Sequence, residues 1–253
     1  MPLSERLGIR PGVTAVIGGG GKTTLLRTLG EELAAGGARV LLCATTKIYP
    51  FDGLLNLADP TEETLAEALE SRRLVCAGTP VPGTGKLTAP GLPMARLAAL
   101  ADCVLAEADG SAGRPLKAHA AHEPVVPREA NQIIQVVGAS GFGRPIREAV
   151  HRPERFCALT GLEPEDPVTP EALAEVLRAE ASRTWPPIRV LVNQAEDETA
   201  MEAARRLAER LPWPVCAGAL KRRSWICLSS FGGPGTSPPA LPCACGGRGF
   251  GWS

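Results

Sequence analysis

Two hydrophobic rhythms alternate along this chain. Short, continuous apolar runs read as strands buried on both faces: Val13–Ile17, Arg39–Ala44, Leu74–Ala77, the run from Asp102, Gln132–Val137, the run from Pro187 and Trp213–Ala217. Between them lie stretches with helical spacing. Thr23–Ala35 places Leu25, Leu26, Leu29 and Leu33 on one face and stops at Gly36 and Gly37. Further helices are predicted from the Asp59 capping region to about Ser71, over Met94–Ala101, over Thr169–Arg183 and over Thr199–Leu211. Thr79–Pro93, rich in Gly and Pro and containing Lys86, reads as a hairpin or mobile loop. Strand and helix in alternation predict an α/β protein with a mostly parallel sheet.

The most informative stretch follows the first strand. Gly18, Gly19, Gly20 and Gly21 lead into Lys22, Thr23 and Thr24 and then into a helix. Glycines let a backbone turn its N–H groups inward, and the positive end of the following helix completes a phosphate site. Lys22 would reach terminal phosphates and the Thr23 hydroxyl would ligate Mg²⁺. The full G-x-x-x-x-G-K-[ST] spelling would need glycine where the chain has Val16, so the match is to the shorter G-x-x-G-K-T-T. That spelling resembles ATP-dependent amide ligases of the Mur type, and the fold expected is a P-loop NTPase-like three-layer α/β/α sandwich. The bland alternative is a glycine-rich turn with a chance lysine.

Other strand ends add candidates, because ligands of parallel α/β sheets sit at the carboxyl ends of strands. Thr45, Thr46 and Lys47 stand either as contacts to a γ-phosphate and its metal or as a polar strand end with a solvated lysine. Glu107 and Asp109, two apart after a buried strand, resemble a Walker B element. Asp109 is expected to hold the metal, and Glu107 to support it or activate water. Arg114 and Lys117 are cations for phosphate or for a second anionic substrate. His119 and His122 are expected at the surface, since no third metal ligand accompanies them. Gly138–Gly143 lacks a lysine and reads as an ordinary loop. Asn193, followed by Gln194 and with Asp197 one place late, resembles the N-K-x-D element of G-proteins. Asn193 is therefore a candidate purine contact, without guanine selectivity.

Charge and composition narrow the partners. With 27 basic and 27 acidic residues among 253, there is no bulk electrostatic case for nucleic acid or an anionic membrane. No apolar stretch is long enough to span a bilayer, and the first residues lack an export signal, so a cytoplasmic location is expected. The eight cysteines show no C-x-x-C zinc spacing. The Cys243 and Cys245 pair is expected to be an incidental feature of a loose tail. From Leu211 onward no acidic residue occurs, and Pro, Gly, Ser and Cys dominate after Arg223. The expected organisation is thus a nucleotide-binding domain over 1–222 and an irregular tail over 223–253.

Together, Gly18–Thr24, Thr45–Lys47, Glu107–Ser111, Arg114–Lys117, Val150–Glu154 and Gly218–Lys221 resemble the YqeC family over roughly residues 10 to 222. The resemblance implies an accessory protein that makes or inserts the selenium-containing cofactor of molybdenum hydroxylases, with such a hydroxylase as its client. The residues themselves support binding of ATP or GTP with Mg²⁺, and hydrolysis resting on Lys22, Glu107, Asp109 and Arg114. The alternative is an ATP-dependent ligase or kinase acting on a small-molecule acceptor.

Overall fold

The computed structural model describes residues 1–181 and 185–229. After a short helix α1 (Leu3–Arg6), strand β1 (Gly12–Gly18) runs into α2 (Lys22–Ala35) and β2 (Val40–Ala44). Two short strands follow, β3 (Lys47–Ile48) and β4 (Leu55–Ala58), and then α3 (Glu62–Arg72). The segment expected as a hairpin or mobile loop is a hairpin: β5 (Leu74–Val81) turns back as β6 (Lys86–Thr88). Helix α4 (Met94–Leu100) leads to β7 (Cys103–Glu107), then β8 (Leu116–Lys117) and β9 (Ala130–Gly138). Next come α5 (Ile146–Ala149), β10 (Val150–His151), α6 (Pro153–Thr160) and α7 (Pro170–Glu180). The chain closes with β11 (Ile188–Asn193), α8 (Glu198–Arg210), β12 (Val215–Ala219) and β13 (Ser224–Cys227).

The main sheet runs β13-β12-β11-β9-β1-β7-β2-β5-β6-β3, with β4 also on β5, and is parallel from β5 through β12. Strand β1 lies at its centre, and Val13 through Gly18 are all buried. Two-sided burial explains why the central strands read as unbroken apolar runs. One face packs Leu25, Leu26, Leu29 and Leu33 of α2, with Leu3 and Leu7, onto Val40, Leu42 and Leu105. The opposite face packs Leu65, Leu69 and Leu97 onto Leu41, Val75 and Val104, and α5 to α8 onto Val190 and Val192. The expected three-layer α/β/α arrangement is therefore the one the chain adopts. Among the described residues no helix is long and apolar enough to cross a membrane.

The C-terminal boundary lies later than composition indicates. Strand β13 falls beyond Arg222 yet pairs antiparallel with β12, Cys216 opposite Cys227 and Gly218 opposite Trp225. Contact is close because Gly218 has no side chain: a Cβ there would lie 2.0 Å from the Ser224 carbonyl oxygen. Trp225 packs against the core and the Cys216 and Cys227 sulfurs lie 3.0 Å apart. Residues 230–253, including Cys243 and Cys245, lie outside the described residues.

Candidate functional site

Strand β1 delivers the glycine loop to the carboxyl end of the sheet between β7 and β9. Gly18 N–H donates to Asp109 Oδ2 (2.8 Å) and Gly19 N–H to the Val136 carbonyl (3.1 Å), fixing the start of the turn. Gly20 has φ +82°, and a Cβ there would fall 2.3 Å from Gly138 Cα, so glycine is required on both counts. The second glycine cluster thus does its work through Gly138, which lets the end of β9 approach the loop. Gly21 is the N-cap of α2, and no side chain among the described residues caps it. Lys22 to Thr24, the first turn of α2, line the crevice. Asn193 braces the loop from below. Its Nδ2 donates to the Gly20 carbonyl (2.7 Å) and its Oδ1 accepts from Leu220 N–H (3.0 Å). The candidate purine contact is instead a buried backbone clamp outside the crevice lining, and Asp197 caps α8 through Ala200 N–H.

Lys22 is 4% exposed. Its ammonium donates to the Gly18 carbonyl (2.7 Å) and lies 3.1 Å from Asp109 and 3.6 Å from Glu107. The two carboxylates then part ways. Strand β7 ends at Glu107, whose Oε2 accepts the Thr23 hydroxyl (3.2 Å) and which lines the crevice. Burial holds the Glu107 carboxyl above the usual carboxylate range, against the pull of Lys22. Asp109 lies beyond the strand end and turns inward, fully buried and absent from the crevice lining. Burial pushes its pKa up, but the hydrogen bond from His119 and the charges of Lys22 and Lys117 together hold it below the usual range. The two-residue strand alternation that would have set both acids on one side does not extend to Asp109.

Behind the loop lies a buried charge cluster. The His119 ring bridges Asp109 through Nε2 (2.7 Å) and Glu180 through Nδ1 (2.7 Å), and its backbone N–H also meets Glu180 (2.6 Å). Burial alone would lower the imidazole pKa. The two carboxylate hydrogen bonds outweigh it and raise it. His119, expected at the surface, is thus an interior ring whose charged form its two carboxylate partners favour, while His122 is exposed. Lys117, expected to meet phosphate or a second anionic substrate, is also interior. Its ammonium donates to the Gly110 carbonyl and lies 3.0 Å from Glu123 and 3.4 Å from Asp109, with Arg152 3.0 Å from the same Glu123 oxygen.

The crevice has a volume of about 700 Å³ and opens along the carboxyl ends of the strands. Lys22, Thr23, Thr24, Glu107 and Arg114 line it. Arg114 is held by the carbonyls of Arg147 and Glu148 through Nη1. Of the Thr45–Lys47 block only Lys47 reaches the crevice. The Thr45 hydroxyl donates to the Val125 carbonyl (2.8 Å), and the Thr46 hydroxyl is buried without a partner among the described residues. Sequence reasoning missed Tyr49, Lys86, Ser140, Arg144 and Gln194, which also line it. Position was the one signal for Tyr49, Ser140 and Gln194, which lie just after strand ends, whereas Lys86 opens β6 and Arg144 lies farther beyond β9.

A glycine loop after the central strand of a parallel sheet, with lysine, threonine and an adjacent strand-end carboxylate, defines a P-loop-type α/β protein. The family model described as YqeC protein matches residues 14–154, and the chain belongs to that family. The match contains the loop, both acids, Lys117 and His119, and stops before Asn193 and Gly218. A protein of Escherichia coli (strain K12) named Uncharacterized protein YqeC is 37% identical over 165 residues, covering 62% of this chain and 63% of that relative. The chain therefore spans less than two thirds of the length of this curated relative.

Proposed function

We propose that the protein binds ATP or GTP with Mg²⁺ on the Gly18–Thr24 loop and hydrolyses it, as an accessory factor in selenium cofactor biosynthesis or in maturation of selenium-dependent molybdenum hydroxylases. One observation carries the nucleotide reading: the Thr23 hydroxyl rests on Glu107 beside Lys22, at the mouth of an uncapped helix. The metal fits this donor set. A hydroxyl and one carboxylate are hard oxygen ligands, and Mg²⁺ in such sites takes its remaining ligands from phosphates and water. Bound there, Mg²⁺ would neutralise charge developing on the β- and γ-phosphates. The chain's own contribution is positioning: first-turn N–H groups orient the phosphates, Lys22 balances their charge, and Arg114 stands at the crevice with Nε and Nη2 unengaged among the described residues. The selenium and hydroxylase part of the proposal rests on the resemblance of the sequence blocks.

Calorimetric titration of ATP and of GTP, with and without Mg²⁺, tests this reading. Mg²⁺-dependent binding of either nucleotide supports it and names the base; absence of binding for both overturns it. The second reading, a ligase or kinase, is favoured by cations that extend beyond the phosphate loop. Product analysis separates the two, because a maturation factor hydrolyses slowly and is stimulated by its client, whereas a ligase or kinase leaves a stable product.

A further inference from the structure

The strand order gives the crevice two arms. On one side of β1, beyond β9 and β11, stand Ser140 and Gln194, whose side chains are hydrogen-bonded to one another (2.6 Å). On the other side, beyond β7 and β2, the short antiparallel pair β3 and β6 forms a lip carrying Lys47, Tyr49 and Lys86. The lip is tied to the end of β2 by Thr88, whose hydroxyl donates to the Thr46 carbonyl (2.7 Å). Thr23 and Glu107, the pair that suits Mg²⁺, lie on the β7 side of the loop. A nucleotide seated with its β- and γ-phosphates at that pair would turn its terminal phosphate toward the lip and leave its base to the opposite arm.

Among the described residues, the lip ammonium groups are the crevice cations held by neither a carboxylate nor a carbonyl. Lys22 is neutralised by Asp109 and Glu107, Arg114 is held by two carbonyls, and Arg144 meets Glu148 at 3.4 Å. Lys47 and Lys86 have no carboxylate partner among the described residues. Lys86 is held instead 4.7 Å above the ring of Tyr49, the single tyrosine of the chain, which is 60% exposed. Cation–π contact fixes an ammonium without cancelling its charge. Two unneutralised ammonium groups beside an exposed aromatic ring, at the end of a crevice, make a receptor for an anion attached to a flat or apolar group.

We infer that Lys47, Lys86 and Tyr49 form a second-substrate subsite for a small anionic molecule, a phosphate ester or a carboxylate, held next to the terminal phosphate of the nucleotide. The inference rests on the nucleotide reading for the identity of its neighbour, but the subsite itself is defined by the lip. It gives the crevice the two-ligand layout of a group-transfer or ligase site, beyond what hydrolysis alone requires.

Phenyl phosphate, benzoate and inorganic phosphate serve as probes, titrated calorimetrically into the full chain. The proteins compared are wild type, Lys22→Ala, the double variant Lys47→Ala/Lys86→Ala, and Tyr49→Ala. Lys22→Ala, with the phosphate loop disabled, should retain saturable binding of phenyl phosphate or benzoate; which of the two binds tells phosphate ester from carboxylate. The double variant should weaken that binding about tenfold or more, the scale of lost charge-assisted contacts. Tyr49→Ala should weaken the aromatic probe but not inorganic phosphate. Should Lys22→Ala fail to fold, wild type saturated with Mg²⁺ and a non-hydrolysable ATP analogue gives the same reading. Equal affinity of wild type and the double variant, or no saturable binding of either aromatic probe to wild type, overturns the subsite. Failure of ATP and GTP to bind while the probes still distinguish the variants overturns only the nucleotide reading.

Discussion

The segment from Glu107 to Lys117 separates two charged regions that use their charges in opposite ways. Behind it, Asp109, Lys117, His119, Glu123, Arg152 and Glu180 interlock, and the Asp109 and Lys117 side chains are wholly inaccessible. In front of it, among the described residues, the crevice presents Lys47 and Lys86 with no carboxylate partner and Glu107 with only a hydroxyl and Lys22. Buried charges that lose one partner keep their desolvation cost, so the rear region is built for fixity. Surface-facing charges without partners cost little in the free protein and are available to a ligand. The lesson is that two acids two residues apart belong to different regions: Asp109 shapes the loop, and Glu107 faces the crevice.

Substitutions on the two sides should therefore separate stability from binding. The largest stability loss is expected for Lys117→Met, which removes the buried cation that Asp109 and Glu123 share and should cost about 3–5 kcal/mol in urea unfolding. A loss no greater than that of an exposed lysine would break the comparison. Glu107→Gln should change stability far less and instead lower nucleotide affinity in Mg²⁺ by about tenfold or more, read by titration. His119→Gln should cost about 1–3 kcal/mol and reshape the pH dependence of stability. Because the folded pKa of His119 is raised, its contribution is complete below the ordinary imidazole value and is lost as pH rises through the raised folded value. Urea midpoints as pH rises above the ordinary imidazole value should fall in wild type and stay flatter in His119→Gln; identical slopes would place the titrating group elsewhere. Smallest of all, Lys47→Ala should leave the unfolding free energy within about 0.5 kcal/mol.

Much of this site was legible in the sequence, and the reasons for the rest are physical. The loop was legible because strand, glycines, lysine and helix are contiguous and each dictates local backbone. The sheet was legible because burial on both faces leaves unbroken apolar runs. Asp109 and Glu107 were visible as a pair, but the alternation rule required β7 to continue past Glu107, and it ends there with Ala108 N–H bonded to the Val16 carbonyl. His119 gave no sign of burial because its partner Glu180 lies 61 residues away, on α7. Lys117 misled for a local reason, its ion-pair partner Glu123 being set by how the following loop folds back. Lys86 and Tyr49 belong to separate short segments, and only the pairing of β3 with β6 brings them to one lip.

The exchange of roles between the two acids is tested most directly by the Mg²⁺ dependence of nucleotide binding in Glu107→Gln and Asp109→Asn, each titrated with and without the ion. The account predicts that Glu107→Gln abolishes most of the affinity gained from Mg²⁺ while the folded protein retains its thermal stability. It predicts that Asp109→Asn lowers stability and, where folded, keeps the Mg²⁺ gain. Retained Mg²⁺ dependence in Glu107→Gln together with its loss in Asp109→Asn would contradict the assignment and return the metal to Asp109.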